Sequence, residues 1–218
     1  MASEDLTGLA NELNEFFTSV GSITAQKASD LTLRHGLNIN LDVPTPLHIS
    51  TNVSSELFVL HQVTENQVEK VIRRLPSNKA PGMDKVSPRI LKDSLPSTLT
   101  TITRIVNNSF VTNTFARAWK TAEVTPILKC GNPDIPNNYR PISLLPIVSK
   151  ITERLVHGQL TEYLIRNKKL AVLQSGNRKL HSTETALLYV TDQLLQAMDS
   201  KKVSIMVLLD VPKAFDSI

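Results

Sequence analysis

The sequence of 218 residues predicts a helix-rich fold of mixed α and β structure, α/β or α+β, and three observations support this prediction. Apolar residues recur at helical spacing in several long stretches. Two short β-type segments flank an Asn- and Pro-rich turn, which is typical of a hairpin. Finally, residues 203–209 form a nearly continuous apolar run, which is typical of a strand buried on both faces.

The helices are predicted from apolar spacing together with capping residues and prolines. A capping residue offers a side-chain oxygen to the unpaired N–H groups of the first turn, whereas proline lacks the N–H that a helix interior needs. The predicted helices are 6–20, a helix opened by the capping box Thr64–Gln67 and ended by Pro76, one begun at Pro88, 97–113, 147–165, and one capped by Ser182 or Thr183 that runs to about Met198.

The β structure is predicted to be a hairpin. Residues 122–128 are strand-like, and Pro126 indicates an edge strand because proline cannot donate to a ladder. Residues 132–138 provide the turn, and 140–145 the returning strand. Upstream, residues 37–55 are rich in Asn, Ser, Thr and Pro, and we expect a linker or an extended loop there.

The net charge of +4 hides an uneven distribution along the chain. Residues 1–60 carry two basic and seven acidic side chains (net −5), residues 61–183 carry nineteen and eight (net +11), and residues 184–218 carry three and five (net −2). A basic block of this size is expected of a protein with a polyanionic partner such as nucleic acid. A solvated, lysine-rich helical surface is the alternative.

Composition excludes several classes of protein. The single cysteine, Cys130, excludes an internal disulfide and a multi-cysteine zinc site, and it favours a reducing, intracellular compartment. No run approaches the roughly 18 apolar residues of a membrane span, and the acidic N-terminus lacks the apolar centre of a secretory signal. The only tryptophan, Trp119, is predicted to be a core anchor rather than a base-stacking platform.

Three features could carry chemistry. Asp210 follows the apolar run, and a carboxylate at the end of a buried strand suits a hard cation such as Mg²⁺, although a turn-forming role is the plainer alternative. Lys129 and Arg140, on the two strands of the hairpin, could hold a triphosphate, or they could be ordinary exposed cations. The basic, Gly-containing loop 174–182 precedes a helix N-terminus, which favours phosphates, or it is a plain capping loop.

The order of the motifs along the chain is more specific than any one of them. The motifs are NKAPGMD at 78–84, WK at 119–120 with PILK at 126–129, NYRPISLL at 138–145, KITER at 150–154, QSGNR at 174–178 with STETA at 182–186, and LD at 209–210 with AFD at 214–216. This series, over about 75–218, resembles the reverse transcriptase domain of non-LTR (LINE-type) retrotransposons of the jockey and CR1 kind. Residues 13–21 resemble the connector that follows the endonuclease in such polyproteins.

The resemblance implies a right-hand polymerase fold, of which this chain would supply the fingers and the start of the palm, with an incomplete palm sheet. Residues 1–60 would be a helical connector and loop, and residues 61–218 the reverse transcriptase fingers and partial palm, truncated after the first catalytic Asp motif. The family's later motif, an aromatic residue followed by Ala-Asp-Asp, has no match, and the sequence contains no Asp-Asp pair. We therefore expect the remaining palm and the thumb to belong to the parent polyprotein.

The resemblance also implies roles for individual residues. Asp210 matches the catalytic metal ligand of a two-metal Mg²⁺ site, which would be incomplete here, and Phe215 matches the aromatic residue under the incoming sugar. The implied nucleotide-binding residues are Lys129, Arg140, Phe215, Gln174 and Arg178, and the expected nucleic-acid-binding residues are Lys79, Lys85, Gly176 and Lys179. Two positions depart from the family pattern: Asn177 replaces an aromatic residue, and Pro212 replaces a small polar one.

The function implied is that of an RNA-directed DNA polymerase fragment, whose partners are an RNA template, a DNA primer and dNTPs. One carboxylate cannot hold two metal ions, so we expect the chain alone not to polymerise. The alternative is a non-catalytic, basic RNA- or DNA-binding module derived from the fingers. A helical interaction domain in which the motifs are relics is a third possibility. No clear targeting signal is present, and only the family implies the nucleus.

Overall fold

The computed structural model describes residues 3–36 and 57–210. The predicted linker at 37–55, together with Pro212, Phe215 and Asp216, lies outside these residues. The described residues form six α-helices and one antiparallel pair of strands, which confirms the prediction of a helix-rich, mixed α and β structure. The elements are α1 (Ser3–Arg34), α2 (Glu65–Arg74), α3 (Pro88–Asp93), α4 (Leu95–Thr112), β1 (Glu123–Leu128), β2 (Tyr139–Leu144), α5 (Ile147–Arg166) and α6 (Thr183–Asp199), with short 3₁₀ turns at Arg117–Lys120 and Pro136–Asn138.

Local capping signals place the starts of α2 and α6 correctly. The Thr64 N–H donates to Oε1 of Gln67 at 2.8 Å, and the Gln67 N–H donates back to the Thr64 hydroxyl at 3.4 Å. Ser182 and Thr185 form the same reciprocal pair at 3.2 and 2.9 Å, so Ser182 is the cap of α6. These bonds satisfy N–H groups that a helix start otherwise leaves unpaired. The prolines predicted to begin α3 and to end α2 also lie at those boundaries.

Helix α1 is longer than the predicted helix 6–20, because it continues to Arg34. Leu13 and Val20 are buried, whereas most side chains after Val20 are exposed, so no apolar stripe marks the second half of the helix. The helix contacts the 3₁₀ turn Pro136–Asn138. Despite its length of 32 residues, neither α1 nor any other helix of the described ranges has the apolarity that crossing a membrane requires.

One apolar core joins α2, α3, α4 and α5. Its fully buried members include Val68 and Ile72 of α2, Val106 of α4 and Ile151 of α5, and Leu91 brings α3 into the same cluster. Fully burying a side chain of this kind stabilises the fold by about 1.5–3 kcal/mol. The core therefore fixes the relative positions of four helices that are far apart in sequence.

Two side-chain amides hold the extended segment before α2 against this core. Asn107 of α4 accepts from the Val63 N–H at 2.8 Å and donates to the Val63 carbonyl at 2.9 Å. Gln159 of α5 makes the same pair of bonds with the N–H and carbonyl of His61, both at 2.8 Å. Each side-chain amide thus hydrogen-bonds both the N–H and the carbonyl of one extended residue, as a neighbouring strand would.

Gly82 lets the loop between α2 and α3 lie directly on the backbone that leads from β2 into α5. A Cβ atom on Gly82 would lie 2.5 Å from the Leu145 carbonyl carbon and 2.6 Å from the Pro146 nitrogen. Only glycine permits so close an approach of two backbones. Beside this contact, Met83 and Pro146 line a small cavity with Trp119, which is buried and packs edge-to-face on Phe115 with ring centroids 5.3 Å apart. The prediction that Trp119 is a core anchor is confirmed.

The chain divides into two compact units between Tyr163 and Leu164. Within the second unit, α6 has no buried residue, and the predicted buried strand 203–209 is wrong. Residues 203–209 form no strand, and Val203 and Leu209 are 93% and 89% exposed. An apolar run shows that a segment can be buried, but a strand also needs a hydrogen-bonded neighbour. Among the described residues, β1 and β2 pair only with each other, so the implied palm strand is not formed there.

Replacing Asn107 by Asp tests the two hydrogen bonds that hold the extended segment. The carboxylate still accepts from the Val63 N–H but can no longer donate to the Val63 carbonyl, which is left unpaired beside a negative charge. We expect the free energy of unfolding to fall by about 1–3 kcal/mol. Urea denaturation of N107D and of its exposed neighbour control N108D measures this effect. Equal urea midpoints for the two variants would contradict this role of Asn107.

Replacing Gly82 by Ala tests the backbone contact. Because the atoms that the new methyl group meets belong to the backbone, the loop must move, and we expect a loss of about 1–3 kcal/mol. The control is Gly176→Ala, since a Cβ there meets nothing within 4 Å. Urea titrations followed by the fluorescence of Trp119 report the region directly. A Gly82→Ala midpoint as high as that of Gly176→Ala would show that the contact is not tight.

Candidate functional site

The hairpin places Lys129 and Arg140 on the same face. In its register Ile127 lies opposite Arg140, and the pairing continues beyond β1, where the Lys129 N–H donates to the Asn138 carbonyl at 2.8 Å. Because side chains alternate between faces, Lys129 shares the face of Ile127 and therefore that of Arg140. Diagonal neighbours of this kind lie about 7–8 Å apart. The predicted hairpin is thus confirmed, and it brings the two candidate cations together.

This cationic face, which we define as Lys129, Arg140 and the neighbouring Ile127, is open to solvent. Lys129 and Arg140 are exposed, and so is Ile127. No carboxylate in the described part of the chain lies within salt-bridge distance of either cation. Two uncompensated cations beside each other repel weakly in water and attract anions, phosphates above all.

A rigid turn fixes the tip of the hairpin. Gly131 has a φ of +84°, a conformation that other residues rarely adopt. The Asn138 amide donates to the Asn132 carbonyl at 2.9 Å, and the Asn132 side chain accepts from the Asp134 N–H at 3.0 Å. These bonds give the predicted turn at 132–138 its own network. The side chain of Asn138 packs against Gly131, which explains why a Cβ there would meet its amide nitrogen at 2.8 Å.

The loop that carries Lys79 and Lys85 is tied to β1. The Lys85 ammonium contacts the Glu123 carboxylate at 2.7 Å, and Lys85 itself has a φ of +55°. Both side chains are well exposed, so the pair contributes little stability and chiefly orients the loop. Lys79 is exposed in the turn that follows α2. Of the two lysines expected to bind nucleic acid, Lys85 therefore already has an internal partner.

Sequence reasoning missed Glu123, the partner of Lys85. The two residues are 38 positions apart, and no local pattern predicts such a pairing. Glu123 begins β1, where the hairpin prediction itself placed the start of a strand. A hairpin register combined with the position of the preceding loop would have been needed to find the pair.

The loop 174–182 lies in the second unit and is held together by its own candidate residues. A guanidinium nitrogen of Arg178 lies 3.2–3.4 Å from the carbonyls of Ala171, Val172 and Gln174 and donates to them. The Gln174 amide donates to the Gly176 carbonyl at 3.2 Å. Arg178 and Gln174 thus shape the loop. Lys179 is exposed and its carbonyl contacts a ring nitrogen of His181 at 3.1 Å.

Asn177, which replaces an aromatic residue of the family pattern, has a φ of +54°. Asparagine adopts this left-handed conformation several times more readily than most residues, because its short polar side chain bonds locally. The departure at this position is therefore compatible with the local backbone of the loop.

Asp210 is exposed at the end of the apolar run and lies in no helix or strand. A metal ion of the Mg²⁺ kind needs several oxygen ligands at once. No group of three or more His, Cys, Asp or Glu that could hold a metal occurs in residues 3–36 and 57–210. The described donor set around Asp210 therefore does not fit a two-metal site. Phe215, the implied sugar contact, lies outside the described residues.

Comparison with known proteins agrees with the motif order. Residues 127–218 match the family model described as reverse transcriptase (RNA-dependent DNA polymerase). The chain is similar to the RNA-directed DNA polymerase from mobile element jockey of Drosophila melanogaster, with 34% identity over 73% of this chain and 18% of the relative. It is also similar to the probable RNA-directed DNA polymerases from transposon BS (30% identity, 99% of this chain, 22% of the relative) and transposon X-element (35%, 70%, 17%) of the same organism.

The chain thus spans about a fifth of the length of the curated relatives it matches. The family model covers the last two residues of β1, the turn, β2, the loop 174–182 and Asp210, whereas the similarity to the transposon BS protein covers almost the whole chain. From the ordered motifs, the hairpin and these relatives together, we conclude that the chain belongs to the reverse transcriptase family of non-LTR retrotransposons.

Proposed function

We propose that this chain contributes the nucleotide- and template-handling part of an RNA-directed DNA polymerase encoded by a mobile element. The observation that carries the proposal is the cationic face of the hairpin. Reverse transcriptases bind nucleic acid. Lys129 and Arg140 have no ion-pair partner among the described residues, and a face with two such cations suits the phosphates of a nucleotide or of a template strand. The three relatives are named as RNA-directed DNA polymerases, which supports the same reading.

The two cations would bind phosphate oxygens in different ways. The guanidinium of Arg140 is a planar fork that can bind two phosphate oxygens at once, whereas Lys129 supplies a compact charge. Their diagonal placement suits neighbouring phosphates of one chain better than a single phosphate. Ile127, directly opposite Arg140, adds an apolar side chain beside the two cations.

The loop 174–182, Asp210 and Phe215 would contribute the remaining site residues. We assign template and nucleotide contacts to the loop containing Gln174, Gly176, Arg178 and Lys179, and the sugar contact to Phe215. Because the Arg178 guanidinium donates to three loop carbonyls, its first role would be to maintain the loop conformation that allows such contacts. Asp210 is the proposed catalytic carboxylate.

The expected partners are an RNA template, a DNA primer and dNTPs. Reverse transcriptases in general use divalent metal ions, and Mg²⁺ is the ion proposed here, with Asp210 as one ligand and the others outside the described residues. The division into a connector at 1–60 and a polymerase domain at 61–218, with right-hand fingers and a partial palm, belongs to the same proposal. The remaining palm and thumb would come from the longer parent.

Replacing both Lys129 and Arg140 by Gln tests the cationic face. Loss of two phosphate contacts should weaken the binding of single-stranded RNA about tenfold or more at low salt, and reduce the salt dependence by about 1.4 in log–log slope. The control is Lys27→Gln with Arg34→Gln on the exposed side of α1, which changes the net charge equally. Fluorescence anisotropy with a labelled 20-nucleotide RNA measures both. Equal losses in the two double variants would contradict the proposal.

A primer-extension assay tests the role of Asp210. Because the described residues supply a single candidate metal ligand, we expect no incorporation by this chain on poly(rA)–oligo(dT) with Mg²⁺ or Mn²⁺ beyond that of an Asp210→Asn control. Incorporation by the unaltered chain that Asp210→Asn abolishes would show that the chain alone assembles an active site.

A further inference from the structure

A second cationic surface lies between α2 and α5, and only Arg154 of it belongs to a motif named above, KITER at 150–154. A groove of about 330 Å³ runs between the two helices, and three cations line it: Lys70 and Arg74 from α2, and Arg154 from α5. Glu162 is its only acidic lining residue. We refer to this surface, the three cations with Gly158, as the α2–α5 groove.

The two helices that line the groove contribute to the same apolar core. Val68 and Ile72 of α2 and Ile151 and Leu155 of α5 belong to the shared apolar cluster. Lys70 and Arg74 are four residues apart, so they lie one turn apart on the same flank of α2. The fixed core therefore holds cations from two helices around one open space.

The cations of the groove are not used inside the described part of the chain. No carboxylate there lies within salt-bridge distance of Lys70, Arg74 or Arg154, whereas the neighbouring Arg73 pairs with Glu69 at 2.6 Å. Like charges at i and i+4 destabilise a helix. The arrangement therefore has a cost that an anionic ligand would remove, and the lining carries a net charge of +2.

Gly158 is a second, independent sign of a ligand. It lies within α5 and lines the groove, although glycine is among the poorest helix formers. A Cβ atom there would meet nothing within 4 Å, so the packing of the described residues does not require glycine. A bare helix backbone in the lining of an open groove does allow close approach from outside.

We propose that the α2–α5 groove binds the phosphodiester backbone of single-stranded nucleic acid. Arginine forks and a lysine suit phosphates, and a groove open along two helices lets a strand pass through it. Its volume is at the small end of the roughly 300–1,000 Å³ range for enclosed ligands, which suits one segment of a strand at a time. This inference rests on the proposed function, and it adds a contact surface built from elements other than the hairpin.

Binding of a labelled 20-nucleotide RNA to the full chain tests the inference. The triple variant Lys70→Gln, Arg74→Gln and Arg154→Gln should bind about tenfold or more weakly at low salt, with the salt slope reduced by about 2, or roughly 0.7 for each lost contact. Its matched control is the triple variant Lys27→Gln, Arg34→Gln and Arg73→Gln, which loses the same three charges outside the groove and should bind as the unaltered chain does. A DNA of the same sequence should show the same loss, because the contacts are to phosphates.

Replacing Gly158 by Ala provides a second measurement that does not depend on charge. The added methyl group favours the helix and should raise the melting temperature by about 2–4 °C, yet it adds bulk to the lining of the groove and should weaken binding. Gly8→Ala in α1 is the control, since a Cβ there also meets nothing within 4 Å. It should stabilise its helix without changing the affinity.

The outcomes separate the inference from the proposed function. If the groove variant binds like its triple control while the hairpin variant Lys129→Gln with Arg140→Gln loses affinity, the groove is not a contact and the inference is overturned alone. If the hairpin variant binds normally, the proposed function fails, whatever the groove does. A loss confined to RNA, or Gly158→Ala binding as tightly as Gly8→Ala, would also overturn the assignment.

Discussion

The packing of α2, α3, α4 and α5 around one apolar core is the constraint on which the rest of the first unit depends. A two-stranded hairpin is at best marginally stable in water, and every residue of β1 is exposed. The hairpin is therefore positioned from outside. Its second strand leads within three residues to Ile147, which is buried in the core, and the Gly82 loop lies on that junction.

The described cations fall into two groups: those with an internal partner, and those available to a ligand. Arg73 and Lys85 each have an internal carboxylate, and the Arg178 guanidinium is held by carbonyls of its own loop. By contrast, the cationic face of the hairpin and the α2–α5 groove lack ion-pair partners among the described residues. The strongly basic middle of the sequence therefore contains both cations that stabilise the structure and cations that remain available to an anionic ligand.

Features set by neighbouring residues could be predicted from the sequence. The capping boxes, the prolines that bound helices and the hairpin turn each act within a few positions, and the structure has them where the pattern indicated. The extent of α1 could not be predicted, since its second half buries little and so shows no periodic stripe.

Features set by distant partners could not be predicted in this way. The apolar run 203–209 indicated a buried strand, but a strand depends on a neighbour that no local pattern supplies. The bonds from Asn107 and Gln159 to the extended segment join residues 44 and 98 positions apart. The α2–α5 groove was also missed, because Lys70 and Arg74 are about 80 positions from Arg154 and no local pattern joins them.

The central claim is that a helical core presents the cationic hairpin to nucleic acid. Hydrogen exchange of the chain with and without saturating single-stranded RNA, followed by mass spectrometry, tests this claim most directly. The account predicts that RNA slows exchange in peptides spanning 123–144, while the core peptides of α4, already protected by packing, do not change. Unchanged exchange across 123–144 at saturating RNA would contradict it.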